Sequence, residues 1–135
     1  MIAFRDLFEI PPDDRRFRVV HADAVAYLAN GLGSGAESAN TVLLDGYDQH
    51  GITPVFRDQD FYLSLRRCLA RDGVLVANLS GDKAEYLAHL VLMREAFDGR
   101  VVVLDVDGVK NKVAFAFNSD NFHRRFGMPS NDRPN

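Results

Sequence analysis

Two aspartates, Asp45 and Asp48, follow a short apolar run and are the residues of this chain best suited to acid–base chemistry. The run Val42–Leu44 is typical of a buried parallel strand, so it places both carboxylates at the carboxyl edge of a sheet, where ligands bind. Gly46 loosens the backbone between the acids and Tyr47 adds an aromatic ring. Such a pair could hold a cationic substrate and take a proton from it. Ordinary turn residues are the alternative, since Asp and Gly commonly follow a strand.

The elements that must position these acids follow from the spacing of apolar residues. Apolar residues three and four apart indicate helices, and runs rich in β-branched residues indicate buried strands. Asp23 lies where a strand turns into a helix and is predicted to be the helix N-cap. The predicted series is helix 2–8, strand 16–22, helix 24–30, strand 42–44, helix 58–71, strand 74–79, helix 83–97 and strands 100–106 and 112–118.

This alternation of strands and helices predicts an α/β fold, a three-layer sandwich with a mostly parallel, Rossmann-like sheet. The last two strands are joined by a short polar turn, which suits an antiparallel hairpin and is too short for a helical crossover. By analogy, a terminal hairpin of this kind indicates the nucleoside-binding, methyltransferase-like version of the fold. The domain is expected to span residues 1–118, with a polar tail over 119–135.

The composition is that of a mildly acidic globular chain. A net charge of -3 and a pI near 5.7 argue against a nucleic-acid-binding surface, which requires a basic face. The single cysteine, Cys68, excludes an internal disulfide and a cysteine-based zinc cluster, and it favours a cytoplasmic location. No apolar segment reaches the length of a signal-peptide core or a membrane span, so neither export nor membrane insertion is expected.

Four histidines and one tyrosine complete the candidates for polar chemistry. His21 and His50 flank the acidic strand ends and could assist proton transfer, although a solitary histidine near a loop is more often a bystander. His89 and His123 have no visible partner, and no histidine spacing matches a metal site. Tyr62 is expected in the core.

Several separate motifs agree with one known family. The chain resembles the spermidine synthases, which are polyamine aminopropyltransferases, in the order and spacing of motifs up to about residue 117. The segments that carry this resemblance are Arg18-Val19-Val20-His21-Ala22-Asp23-Ala24, Val42-Leu43-Leu44-Asp45-Gly46-Tyr47-Asp48, Asp60-Phe61-Tyr62 and Asp72-Gly73-Val74-Leu75-Val76-Ala77-Asn78-Leu79.

The resemblance implies transfer of an aminopropyl group from decarboxylated S-adenosylmethionine to an amine such as putrescine, with no metal and no prosthetic group. It implies that Asp45 accepts the proton of the attacking amine. Substrate amino groups are then held by Asp48, with Tyr47 and Gln49 beside it. The nucleoside is expected at Asp23 and Ala24, where the family has a Gly-Asp step and this chain has Ala22 before the aspartate.

The resemblance covers the C-terminal part of the family's catalytic domain, so the fold is expected to be truncated on its N-terminal side. The family's glycine-rich nucleoside motif and its N-terminal β-domain are not found in this sequence. The missing strands would leave the strands at 16–22 and 42–44 with exposed edges. These edges are expected to be covered by direct pairing of the two strands or by a second copy in a homodimer.

Two other functions stay open beside the aminopropyltransferase. A non-catalytic interaction domain could keep the fold and both aspartates without binding the nucleoside. A methyltransferase using S-adenosylmethionine could also be built on this fold, although methyl transfer does not require the paired acids. The expected partners are a small nucleoside and a polyamine, with neither nucleic acid nor membrane.

Overall fold

A computed structural model describes residues 10–30, 38–48, 51–80, 83–108 and 111–119. The helix predicted over 2–8 and nearly all of the predicted polar tail lie outside these residues, as do Gln49, His50 and His123.

The centre of the fold is a four-stranded sheet with the strand order β1-β4-β6-β5. Strand β1 runs parallel to β4, whereas β6 is antiparallel to both of its neighbours, β4 and β5. The predicted C-terminal hairpin is therefore confirmed, and the whole sheet is mixed. A separate short ladder pairs β2 with β3. The bounds are Ala39–Leu44 for β1, Tyr47–Asp48 for β2, Gly51–Ile52 for β3, Leu69–Leu79 for β4, Val101–Asp105 for β5 and Lys112–Phe117 for β6.

Three α-helices and one 3-10 turn accompany the sheet within the described residues. Helix α1 begins after Asp23, whose side chain accepts a hydrogen bond from Ala26 N as the predicted N-cap, and helix α2 begins after a second aspartate cap, Asp58. The bounds are Ala24–Ala29 for α1, Pro54–Arg57 for the 3-10 turn, Gln59–Cys68 for α2 and Lys83–Ala96 for α3. None of the described helices combines the length and the apolar character needed to cross a membrane.

The core lies between the helices and one face of the sheet. Strand β4 alternates, so that Leu75, Ala77 and Leu79 are buried while the residues between them are partly exposed. Tyr62, Leu65, Met93 and Phe97 cover this face from α2 and the α3 end. On the opposite face Leu43 is 77% exposed, and the helical layer that a three-layer sandwich needs there is not among the described residues.

Helix α2 ends earlier than the sequence predicts. The predicted helix continued to Arg71, but the structure ends it at Cys68 and starts β4 at Leu69. The side-chain amide of Asn118 donates to the carbonyl oxygens of Leu69 and Ala70 at 3.2 and 3.0 Å. These bonds stabilise an extended backbone where the apolar spacing alone indicated another helical turn.

The strand predicted over 16–22 is wrong, because this segment is irregular and mostly exposed. The Asp14 carboxylate accepts hydrogen bonds from Arg16 N and Phe17 N at 2.6 and 2.8 Å, and the Asp13 carboxylate accepts one from Val19 N at 3.0 Å. Backbone donors that a strand would offer to a neighbour are thus used locally.

Direct pairing of this segment with β1 is not observed either. Within the described residues β1 pairs only with β4 and is an edge of the sheet. The homodimer expected to cover that edge stays a prediction, as does the cytoplasmic location.

Candidate functional site

Asp45 is the first residue after β1 and lies at the carboxyl edge of the sheet, as its sequence context predicts. Strands β1 and β4 are parallel and pair up to Leu44 and Ala77, so their carboxyl ends lie side by side. The Asp45 side chain is exposed and makes no salt bridge with any described residue. A carboxylate in this setting keeps its negative charge available for a cationic ligand.

Two asparagines connect to this carboxylate. The side-chain amide of Asn78 donates to Asp45 Oδ1 at 3.2 Å, and Asn111 Nδ2 donates to Asn78 Oδ1 at 3.2 Å. The sequence analysis missed both asparagines. The sequence did contain a signal for Asn78, because this polar residue comes near the end of an apolar strand, as Asp45 does. In the structure, the residues that precede Asp45 and Asn78, Leu44 and Ala77, pair with each other in the ladder.

The backbone after Asp45 is fixed by close packing at Gly46. A methyl group in place of the Gly46 hydrogen would overlap the ring of Phe56. The Gly46 carbonyl oxygen also accepts hydrogen bonds from Thr53 N at 3.3 Å and from Thr53 Oγ1 at 3.2 Å. Glycine is required here for a close approach, and the acid-bearing loop is tied to the 3-10 turn behind it.

A buried tyrosine–histidine pair packs against that 3-10 turn. Tyr62 Oη lies 2.9 Å from His89 Nδ1, and His89 is 2% exposed. Burial is the main cause that holds the pKa of His89 below its ordinary value, and a backbone hydrogen bond with Phe56 works in the opposite direction. The rings of Phe56 and Phe61 are 4.8 Å apart and continue this packing. Tyr62 is a core residue, as predicted, and the partner of His89 could not be seen in the sequence.

A small cavity opens between the acid loop and this pair. Apolar atoms make up most of its wall. The lining residues are Leu44, Gly46, Phe56, Tyr62, Asn78, Leu79 and His89. The cavity therefore lies directly beside the segment that carries Asp45.

The other predicted substrate residues lie on the loop that follows. Tyr47 and Asp48 form β2 and pair with Ile52 and Gly51, respectively, in the short antiparallel ladder. This ladder turns the chain back toward Thr53. Gln49, the third predicted substrate residue, lies outside the described residues. The binding roles of all three stay predictions.

The predicted nucleoside residues lie at the beginning of α1. Asp23 accepts a hydrogen bond from Ala26 N at 2.9 Å through Oδ1, and Ala24 is the first helical residue. Both are exposed, and neither has a described contact with Asp45. His21 is exposed as well. The structure therefore confirms the capping role of Asp23 and leaves its nucleoside role a prediction.

Two pairs of opposite charges also lie near this edge. Lys112 at the start of β6 bonds to the Asp105 carboxylate, which raises the pKa of Lys112, and its ammonium lies 5.2 Å from the centre of the Tyr86 ring. Arg57 pairs with Glu85 at 3.5 Å. Across the described segments, no group of three or more histidine, cysteine or acidic side chains could hold a metal ion.

The described strands and helices form a methyltransferase-like α/β fold. Human methyltransferase-like protein 13, whose crystal structure is a complex with SAH, matches with a TM-score of 0.70 and 23% sequence identity. The match covers 82% of this chain and 53% of that chain. This similarity shows the fold that the sequence predicts.

The sequence identifies a narrower group of relatives. Polyamine aminopropyltransferases from Neisseria meningitidis serogroups A and B are each 30% identical over 116 residues, which is 85% of this chain and 42% of the relative. The enzyme of that name from Chromobacterium violaceum is 32% identical over 114 residues, or 84% of this chain. No family model matches the sequence. The chain is thus similar in sequence to polyamine aminopropyltransferases, as its motifs predict, and spans 42% of the length of these relatives.

Proposed function

We propose that this chain carries the proton-accepting site of an aminopropyltransferase. The substrates are decarboxylated S-adenosylmethionine, or a closely similar sulfonium nucleoside, and an amine such as putrescine. The observation that carries the proposal is the Asp45 carboxylate, which is exposed at the carboxyl edge of β1, lacks a cationic partner among the described residues and is held by Asn78. The relationship to polyamine aminopropyltransferases supports it.

The chemistry requires a base because an alkylamine is protonated at neutral pH and has no lone pair for attack. The negative charge of Asp45 attracts the ammonium group, and its carboxylate then takes one proton from it. The freed amine attacks the aminopropyl carbon next to sulfur, forming a C–N bond as the C–S bond breaks. The electron pair of the broken bond stays on sulfur, which leaves as a neutral thioether.

The remaining predicted residues take supporting roles in this proposal. Tyr47, Asp48 and Gln49 bind the amine, because they follow Asp45 closely in the sequence. Asp23 and Ala24 bind the nucleoside. One oxygen of Asp23 is used by the helix cap, and the other has no partner among the described residues, so it can accept a hydrogen bond from an adenine amino group.

The test is a time-course assay of the purified chain with decarboxylated S-adenosylmethionine and putrescine, in which the products are quantified by mass spectrometry. We expect spermidine and methylthioadenosine in equal amounts. Asp45→Asn removes the proton acceptor with little change in shape, and its rate should fall at least about 100-fold, within the range attributed to general bases. Asp72→Asn, on β4 at the opposite edge, is the matched control and should keep the wild-type rate. No product from the wild-type chain would refute the proposal.

Methyl transfer is the second candidate, because the structural neighbour methyltransferase-like protein 13 was solved with SAH. The same assay with S-adenosylmethionine separates the two reactions by the mass added to the amine. A methylated product that survives Asp45→Asn would favour the methyltransferase. Absence of both products would favour a non-catalytic domain.

A further inference from the structure

We propose that Asn78 is a positioning residue for the Asp45 carboxylate and that Asn111 fixes the orientation of Asn78. This inference rests on the proposed function, because it assigns a role within the same site. It adds two residues to which neither the motifs nor the resemblance assigned a role.

The hydrogen bonds determine which way the Asn78 amide points. An asparagine side chain presents an acceptor oxygen on one side and a donor NH2 on the other. Asn111 Nδ2 donates to Asn78 Oδ1 at 3.2 Å, so the oxygen of Asn78 faces Asn111 and its NH2 faces Asp45. The reverse orientation would bring an amide oxygen against a carboxylate oxygen, which is repulsive. Asn111 thereby ensures that Asp45 meets a donor.

The register of the sheet places Asp45, Asn78 and Asn111 next to one another at its carboxyl edge. Leu44 pairs with Ala77 in the parallel ladder, which brings the next residues, Asp45 and Asn78, side by side. Asn78 itself pairs with Val113 in the antiparallel ladder, close to Asn111, which immediately precedes β6. Because β4 is an interior strand with neighbours on both sides, Asn78 lies on a rigid part of the fold. Functional side chains are most reproducibly positioned from such elements.

A neutral donor suits a carboxylate that must act as a base. The other charge-bearing strand end of this edge, Asp105, bonds to the ammonium of Lys112, which neutralises it. Asn78 restricts the rotation of Asp45 without adding positive charge, so the attraction for an ammonium group is retained. It occupies Oδ1, while Oδ2 has no partner among the described residues. The structure thus assigns proton acceptance to the oxygen that Asn78 does not bind.

The kinetic test compares Asn78→Ala, Asn111→Ala and Asn118→Ala in the wild-type assay. We expect Asn78→Ala to lower kcat about 10- to 100-fold with a smaller change in KM, because the carboxylate is present but misplaced. Asn111→Ala should give a smaller loss in the same direction. Asn118 bonds to the backbone at the opposite edge, so Asn118→Ala should lower Tm and leave kcat unchanged. Equal kcat for Asn78→Ala and wild type would overturn the inference.

A charge variant supplies a readout that a purely structural role would not change. Asn78→Asp has nearly the same shape but puts a second carboxylate beside Asp45, and two adjacent carboxylates do not both stay ionised. The acidic limb of the pH–rate profile should therefore move to higher pH. An unchanged profile would contradict contact between the two residues during catalysis.

A spectroscopic test separates this inference from the proposed function. The side-chain NH2 resonances of Asn78 should shift in Asp45→Ala and in Asn111→Ala, but not in Asn118→Ala. This measurement requires no substrate. If the chemical shifts of the Asn78 NH2 group were the same in Asp45→Ala and in the wild type, the inference would be overturned even if the protein were active. A wild-type chain that shows these shifts but no transfer would refute the proposed reaction and retain the positioning contact.

Discussion

The two ends of the sheet carry polar networks of different kinds. At the carboxyl edge, Asn78 and Asn111 hold a single exposed carboxylate, Asp45. At the opposite edge, Arg66, Asp98, Arg100 and Asn118 bond to one another and to backbone carbonyls. The second network contains charge of both signs, whereas the first contains one unbalanced negative charge.

The opposite edge uses its polar atoms to close the fold. Arg66 donates to the Ala96 carbonyl at 2.6 Å and to Asn118 Oδ1 at 3.3 Å, and it forms a salt bridge with Asp98 at 2.8 Å. Arg100 donates to the Phe117 carbonyl at 3.0 Å and bonds to the same Asp98. These contacts tie α2, the end of α3 and the last strand together.

Asp98 has an uncommon backbone conformation that the contacts at this edge stabilise. Its backbone φ is +53°, a value that is uncommon for residues other than glycine, and the neighbouring Gly99 has a φ of +79°. Two arginines fix the Asp98 carboxylate in this turn. The comparison teaches that bonded partners of opposite charge mark a structural network, and an unpaired acid held by neutral amides marks a candidate site.

The largest expected effect tests the structural edge. Arg66→Ala removes three interactions at once and leaves the Ala96 carbonyl and Asn118 Oδ1 without their donor, so we expect a loss of about 2–4 kcal/mol in the free energy of unfolding. Arg67→Ala is the matched control, since Arg67 is exposed and bonds only to Ser64 among the described residues. Urea denaturation measures both. If the two variants were equally stable, the network around Arg66 would not have the structural role that distinguishes it from the network around Asp45.

An intermediate effect is expected beside Asp45. Gly46→Ala forces a methyl group into the Phe56 ring and should cost about 1–3 kcal/mol, in the range found for overpacked sites. Phe56→Leu makes room at the same place, so the double variant should lose less stability than the sum of the two single variants. Thermal unfolding of all four proteins gives this coupling. Additive losses would show that the two residues do not meet.

The smallest expected effect is a difference in pH dependence. Burial lowers the pKa of His89, so the unfolded chain binds the proton more tightly, and stability should fall as the pH drops from about 6.5 toward the folded value. Hydrogen bonding to Arg66 is the main cause that lowers the pKa of Asp98, so its contribution is present above about 4 and is lost in stronger acid. Asp98 is largely exposed, so solvent screening keeps its contribution below about 1 kcal/mol.

Urea denaturation between pH 7.5 and 3 checks both groups. His89→Gln should flatten the upper part of the pH profile, and Asp98→Asn should flatten the part below pH 4. A profile of His89→Gln that matches the wild type would show that His89 titrates alike in the folded and unfolded chains.

The parts predicted correctly were those governed by local patterns. Asp23 was placed at a helix beginning because an aspartate there satisfies a free backbone donor, and the spacing of apolar residues placed the beginning of another helix at Asp58. The short turn before Lys112 required a hairpin, and the apolar run before Asp45 required a strand. Each of these features depends on residues that are near one another in the sequence.

The errors and omissions arose where distant residues decide the outcome. Helix α2 ends at Cys68 because of Asn118, about fifty residues later. Apolar alternation over 16–22 did not produce a strand: no described strand pairs with this segment, and three of its backbone donors bond to Asp13 and Asp14. The contacts of His89 with Tyr62 and of Asn78 with Asp45 likewise join elements that only the fold brings together.

The close approach at Gly46 has a consequence for how this segment responds to random mutation. Position 45 points into open solvent and should accept many side chains in a selection for folded protein, whereas position 46 should accept glycine almost exclusively. In a selection for transfer activity, position 45 should accept almost only aspartate, and position 46 should still accept almost only glycine. Two adjacent residues would then report separately, in one library, on selection for folding and selection for chemistry.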